Sequence, residues 1–427
     1  MNKIDEMITR LCPEGVEYKT LGEIAVDIYR GAGITREQVC DKGTPCVRYG
    51  EIYTTYGVWF DKCVSHTNAD EIPNKKYFEH GDVLFAITGE SVEEIAKSCA
   101  YVGNEKCLAG GDIVVLRHNQ DPKYIAYALS TLDAQKQKSK GRVKSKVVHF
   151  SVPAIKEIKI PLPPLDIQRE IVCILDRFRE LEAELEAELE ARRKQYEFYR
   201  DKLLTFDDAS AYALANKQTS KQANSASSRV RWLMLSELFN MKNGYTPSTS
   251  NASFWNFGNI PWFRMDDIRD NGGILSDASR HVTPEAVKGG LFPAGTVIVA
   301  TSATVGAHAL ITVDFLANQR FTCLTVKDKY KDMLLPKFVY YYCFKLDEWC
   351  LNNTHVSSFP SVDMTRFGKF LFPVPPLDEQ RRIVSILDKF SALVSDISSG
   401  LPAEIAARRK QYEYYRDRLL NFKEAES

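Results

Sequence analysis

From Ile171 onward the hydrophobic positions recur every seven residues. Ile171, Phe178, Leu185, Tyr199 and Phe206 lie on one track with Arg192, and Leu175, Leu189, Tyr196 and Leu203 lie on a second track four positions away. Two such tracks form the seam of a coiled coil. Pro163-Pro164 closes the strand-like segment before it, and Asp166 is placed to cap the helix that follows. About forty residues at a rise of 1.5 Å make a rod of roughly 60 Å, longer than packing inside one globular domain requires. The pattern returns late in the chain. Ile383, Leu387, Phe390 and Ile397 are followed, after a four-residue insertion, by Tyr412, Tyr415, Leu419 and Phe422. An insertion of four shifts the seam. It coincides with Ser398-Ser399-Gly400-Leu401-Pro402, which predicts a break and a helix restarting at Pro402.

The two helical patterns are also one sequence written twice. PPLDIQREIVCILDRF and ARRKQYEFYRDKLLTF in residues 163–206 return as PPLDEQRRIVSILDKF and ARRKQYEYYRDRLLNF in residues 375–422. The segments before them align more loosely: Pro45-Cys46-Val47-Arg48 with Pro261-Trp262-Phe263-Arg264, and Gly81-Asp82-Val83-Leu84 with Gly295-Thr296-Val297-Ile298. Internal repetition of this kind sets the architecture. Short β-rich runs (83–87, 113–116, 296–300, 321–326) and one helical patch per half (124–132, 338–349) give two α+β domains, each leading into a long helix. The expected boundaries are a domain at 1–162, a helix at 163–206, a flexible Ala/Ser/Asn/Gln/Lys-rich linker at 207–229, a second domain at 230–374 and a second helix at 375–427. The helices have kept their sequence while the domains have diverged, so the helices meet one requirement and the domains meet two.

Composition narrows the class. Fifty-six basic residues balance fifty-six acidic ones, which argues against a strongly basic nucleic-acid binder acting alone. Ten cysteines without a CxxC pair fit a reduced cytosolic protein with buried thiols, and no apolar run reaches bilayer length. There is no GxxxxGK[ST], HExxH or GxSxG motif. The double prolines in Leu162-Pro163-Pro164-Leu165 and Val374-Pro375-Pro376-Leu377 lack the polar residue before and the aromatic after that an adenine methyltransferase uses, so they read as strand-to-helix corners. A chain without its own catalysis or metal is expected.

The most uneven charge is a basic run, Lys136, Lys138, Lys140, Arg142, Lys144 and Lys146, spaced by Gly, Ser and Gln. It reads as a flexible loop suited to phosphate contact or, alternatively, as plain solvated surface. Its counterpart carries Asn353, Thr354 and His355, side chains suited to base edges. Further candidate contacts lie at the early glycine turns (Arg30 in the first half; Lys242, Asn243, Tyr245 and Thr246 in the second) and at the turn with Thr301 and Ser302. Arg48 and Arg264 occupy matching positions and serve equally well as structural ion-pair partners.

With its duplicated P-L-P-P-L-D-x-Q-R-x-I-V-x-I-L-D-like and A-R-R-K-Q-Y-x-x-Y-R-D-x-L-L stretches, the chain resembles the specificity subunit of type I restriction–modification systems. Thr304-Val305-Gly306 and Asn318-Gln319 support the resemblance, from which the first domain departs at Val92-Glu93-Glu94 and Gly110-Gly111. The resemblance implies two target-recognition domains reading a bipartite double-stranded DNA sequence. It also implies long helices packed as an antiparallel coiled coil that spaces the domains and docks two methyltransferase (M) subunits. Restriction (R) subunits would join these, with S-adenosylmethionine bound by M and ATP by R rather than by this chain.

Overall fold

The computed structural model describes residues 2–89, 95–140, 142–143, 148–206, 230–356, 359–395 and 400–425. The expected linker at 207–229 and Ile397 lie outside the described residues, as do Lys144 and Lys146. The chain forms two compact units, Met1–Glu186 with Glu404–Ser427, and Ala187–Ala403.

In the first unit the central sheet is built from β1 (Ala25–Arg30), β2 (Trp59–Phe60), β3 (Val83–Ala86), β4 (Ser98–Tyr101) and β5 (Ile113–His118), in the order β1-β5-β3-β4-β2. All pairs are antiparallel except β4 with β2. The middle strand β3 is buried at all four positions, which is why Val-Leu-Phe-Ala reads as a continuous apolar run. After β5 come α1 (Pro122–Leu129) and α2 (Leu132–Lys140), then α3 (Leu165–Leu203), 39 residues without interruption. The second unit repeats the sheet with β6 (Phe239–Asn243), β7 (Ile274–Leu275), β8 (Thr296–Ala300), β9 (His308–Ile311) and β10 (Phe321–Val326), in the order β6-β10-β8-β9-β7. Only β9 with β7 is parallel. The order and sense of pairing are those of the first unit, strand for strand. A single longer helix, α4 (Pro336–Asn352), then replaces α1 and α2.

The second helical copy is two helices, α5 (Leu377–Ser395) and α6 (Leu401–Leu419), with Pro402 in the first turn of α6. Asp166 does not cap α3: the helix already starts at Leu165, and the carboxylate lies inside the first turn, 3.7 Å from Arg169. An acidic side chain there still favours the helix dipole.

Each unit is completed by the tail of the other copy's helix. In the first, Phe178 of α3 stacks on Tyr415 of α6 with centroids 5.4 Å apart, and Glu182 pairs with Arg409 at 2.7 Å. Leu419 and Leu420 enter the same core as Ile167, Ile171 and Leu175. Residue numbers rise along one helix as they fall along the other, so the segments are antiparallel. In the second unit Tyr199 of α3 stacks on Phe390 of α5 at 5.6 Å, and Leu204 joins Ile383 and Leu387 in the core. The internal repeat therefore matches down to the ring stack.

Candidate nucleic-acid interface

The residues that the two helix copies share first explain how a helix is attached to its domain. Gln168 and Gln380 are fully buried at matched positions. Gln168 Nε2 donates to the Pro163 carbonyl at 2.7 Å while its Oε1 accepts the Asp121 N–H at 3.1 Å, at the start of α1. Gln380 does the same with the Pro375 carbonyl at 2.7 Å and the Leu335 N–H at 2.9 Å, at the start of α4. About two helical turns further on, Asp176 accepts from Tyr127 at 2.6 Å and from Trp59 Nε1 at 2.9 Å, and pairs with Lys123 at 2.6 Å. Asp388 accepts from Tyr341 at 2.7 Å and pairs with Lys337 at 2.7 Å. Burial first, and the carboxylate hydrogen bond second, push both tyrosine pKa values up, so both remain proton donors. These anchors went unnoticed among the apolar tracks. Their signal was identity of a polar residue between copies at positions flanked by core residues.

In each domain the repeat also builds a cleft. In the first unit a cavity of about 540 Å³ is lined by Arg36, Arg48, Glu51, Gly110, Gly111 and Asp112, among others. In the second a cavity of about 340 Å³ is lined by Arg264, Asp266, Arg269, Arg280, Asn318 and Arg320, with Ser302 and Thr304. Arg48 and Arg264 precede matched short helices, and each backbone N–H donates to the carboxylate three residues on, Glu51 at 3.1 Å and Asp267 at 2.7 Å. That is why an Arg-x-x-acid pattern recurs: it caps a helix at the cleft wall. Gly31 and Gly244 stand at matched turns where a Cβ would collide with the carbonyls of Ala109 and Gly110, or of Ala317 and Asn318, so the close approach of strands demands glycine.

The linings differ in charge. Two arginines face two carboxylates in the first cleft, and Asp112 is further engaged by Arg30 at 2.6 Å. Four arginines face one aspartate in the second. Arg264 and Arg269 both lie 3.6 Å from Asp266, and the Arg280 guanidinium sits 4.3 Å over the Trp255 ring.

The basic run is not a loop throughout. Lys136, Lys138 and Lys140 belong to α2. Lys136 is exposed, but Lys138 is buried, donating to the Leu129 carbonyl at 2.9 Å, with Ser98 Oγ at 3.5 Å. Burial pushes its pKa down to about 7. Lys138 is therefore removed from the phosphate-contact set, because a lysine without access to solvent cannot reach DNA. Arg142 lies on a two-residue strand.

In the second unit Thr301, just past the end of β8, is also buried, with its hydroxyl hydrogen-bonded to Thr322 at 2.9 Å. Asn243 accepts from Thr322 at 3.0 Å, and the Tyr245 hydroxyl spans the Ala286 carbonyl and the Lys288 N–H. Thr246 bonds Asn318 at 3.3 Å and also Gln319. Lys242 is exposed near the Phe292 ring, and Ser302 lines the cleft. Asn353 and Thr354 turn back onto the Trp349 and Leu351 carbonyls, while His355 is exposed on a short hairpin. Arg269, Arg280 and Arg320 were missed, since their counterparts in the first half are not arginines.

Among the residues of the coiled-coil tracks, Ile171, Leu175, Ile383, Leu387 and Leu419 are buried in the units' own cores, and Tyr196, Leu203, Tyr412 and Tyr415 pack against them. Leu185 and Leu189 are half-buried. The faces left outward carry a matched aromatic, Phe198 (63% exposed) and Tyr414 (59% exposed). Of the ten cysteines, Cys40 and Cys173 are exposed rather than buried. Among the described residues no helix is long and apolar enough to cross a membrane, and no cluster is placed to hold a metal ion.

A family model for the type I restriction modification DNA specificity domain matches residues 13–191 and 232–407. The EcoprrI type I restriction enzyme specificity subunit of Escherichia coli is 56% identical over 205 residues, 46% of this chain and 51% of that one, so the match spans about half of that relative's length. The EcoR124I/EcoR124II specificity subunit of Escherichia coli is 35% identical over 320 residues, 71% of this chain and 72% of that one. Two solved structures share the fold. One is a chain in a type I R-M system assembly, with TM-score 0.64 and 18% identity over 95% of this chain and 98% of that one. The other is the HsdS subunit from Thermoanaerobacter tengcongensis, with TM-score 0.51 and 20% identity over 96% and 97%.

Proposed function

This chain belongs to the type I restriction–modification DNA specificity family, and from that premise we propose that it recognises a two-part duplex DNA target and brings methyltransferase and restriction subunits to it. One contrast carries the reading. The helix anchors are matched between the units (Gln168 with Gln380, Asp176 with Asp388), whereas the clefts at matched places are lined by different chemistry. Constant helices suit two copies of one partner, and divergent clefts suit two different half-sites. Residues 1–162 and 230–374 act as the two target-recognition domains.

The seam of the helices is consumed by the units' own packing, so partner docking falls to the outward face. There Phe198 and Tyr414 repeat, each with a lysine four residues before it, Lys194 and Lys410. Two M subunits engage these matched faces, R subunits join through them, and the helices set the spacer between half-sites. S-adenosylmethionine and ATP are held by those partners, in the cytoplasm where the DNA is. This chain supplies address rather than chemistry.

Electrophoretic shift of duplex DNA by the full chain, with and without a methyltransferase partner, tests the reading. Sequence-dependent retardation that strengthens with the partner is expected. Association with the partner but with no DNA under any condition would make the chain a scaffold and overturn the proposal.

A further inference from the structure

The second unit's cleft contains one arginine whose side chain is uncommitted. Arg264 is held by Asp266 and by Ser279 Oγ at 3.2 Å, Arg269 shares Asp266, and Arg280 lies on Trp255. Arg320 is exposed, and among the described residues its guanidinium has neither an ion pair nor a side-chain hydrogen bond. Its backbone is pinned at both ends: its N–H donates to Asn318 Oδ1 at 3.0 Å, and its carbonyl accepts the Thr301 N–H at 3.1 Å. A planar five-donor group on a fixed stem, at the mouth of a cleft, is pre-organised for a ligand with two adjacent acceptors. The residue in the same place in the first unit is Asp112, already occupied by Arg30.

We propose that Arg320 reads a guanine in the half-site of the second unit, donating in parallel to O6 and N7 in the major groove, a role that Asp112 at the matched position of the first unit does not share. Guanine is the base that presents two acceptors side by side on that edge, and arginine is its usual partner. The three restrained arginines keep the cleft positive and attract the duplex, and its carboxylate, Asp266, is engaged by Arg264 and Arg269, so Arg320 is left among the neutral Ser302, Thr304 and Asn318. The assignment rests on the proposal that this unit binds DNA.

The test is binding-site selection from random duplex DNA by the full chain with its methyltransferase partner, for the unsubstituted protein, Arg320→Lys and Arg320→Ala. One position of the half-site that travels with residues 230–374 should be guanine. Both variants should relax that position by about 5- to 150-fold, because lysine keeps the charge but loses the fork. The salt dependence of binding should be unchanged in Arg320→Lys. If Arg320→Lys keeps the original motif while Arg320→Ala weakens binding to every sequence and lowers the salt slope by about one, Arg320 is a phosphate contact and the assignment is overturned. A unit-2 half-site without guanine overturns it as well, and leaves the DNA-reading proposal standing. Failure of the unsubstituted complex to select any sequence overturns both.

Discussion

Replacing Asp176 by alanine separates the helix anchor from ordinary surface charge. The carboxylate takes hydrogen bonds from the Tyr127 hydroxyl at 2.6 Å and the Trp59 indole at 2.9 Å, and its other oxygen meets Lys123 at 2.6 Å. Tyr127 is fully buried, so alanine strands its hydroxyl and leaves the half-buried indole without its acceptor. Each stranded donor costs about 1–3 kcal/mol, for a total of roughly 2–6 kcal/mol. The Lys123 pair adds little, since its ammonium still reaches water and rests on the Trp59 ring at 3.7 Å. Asp176→Asn keeps an acceptor for both donors and should cost about 1 kcal/mol. In the second unit Asp388→Ala strands one described donor, Tyr341, and should cost about 1–3 kcal/mol. Guanidinium titration gives the magnitudes, and hydrogen exchange by mass spectrometry gives their location. Asp176→Ala should accelerate exchange in α1 and the first turns of α3 while α4 and α5 keep their protection. A cost below about 0.5 kcal/mol, or equal losses for Ala and Asn, would refute the anchor.

Lys138 has a folded pKa of about 7, below the unfolded value of about 10.4. Between those values the unfolded chain binds more protons, so the contribution of this group to stability rises with pH across that window, and its penalty is full below it. Lys138→Met should therefore stabilise the first unit most near pH 6 and progressively less toward pH 10 in urea titrations; a gain independent of pH contradicts the burial argument. Changing Lys136, Lys140, Arg142, Lys144 and Lys146 together to Gln should lower binding to all sequences and flatten the salt dependence without altering half-site choice, whereas an unchanged slope makes these residues plain surface. Deleting one heptad from both helix copies should shorten the spacer in selected sites and leave the half-site sequences intact; altered half-sites would argue against a ruler.

What was legible in the chain follows from the range of the physics involved. The helices and the break near Gly400-Pro402 show themselves because a seven-residue period and a Gly/Pro interruption are local signals. Duplication foretold two like domains, but not that Leu419 and Leu420 complete the core of the first, since that packing spans most of the chain. The order β1-β5-β3-β4-β2 is likewise set by long-range pairing. Lys138 looked like one charge in a solvated run, and only tertiary packing places it inside. Gln168 and Asp176 were readable as polar identities between copies. Arg320 was not, because comparing the halves highlights what they share, and a reader of one half-site is found where they differ.

If this chain recognises a two-part target, its two domains read two half-sites independently. The most direct measurement is binding-site selection by the partner-bound full chain before and after residues 230–374 are exchanged for the matching segment of another specificity subunit. The expected result is a motif of two half-sites separated by a constant unread spacer, with one half-site replaced by the exchange and the other unchanged. A single contiguous motif, or an exchange that alters both halves together, would contradict it.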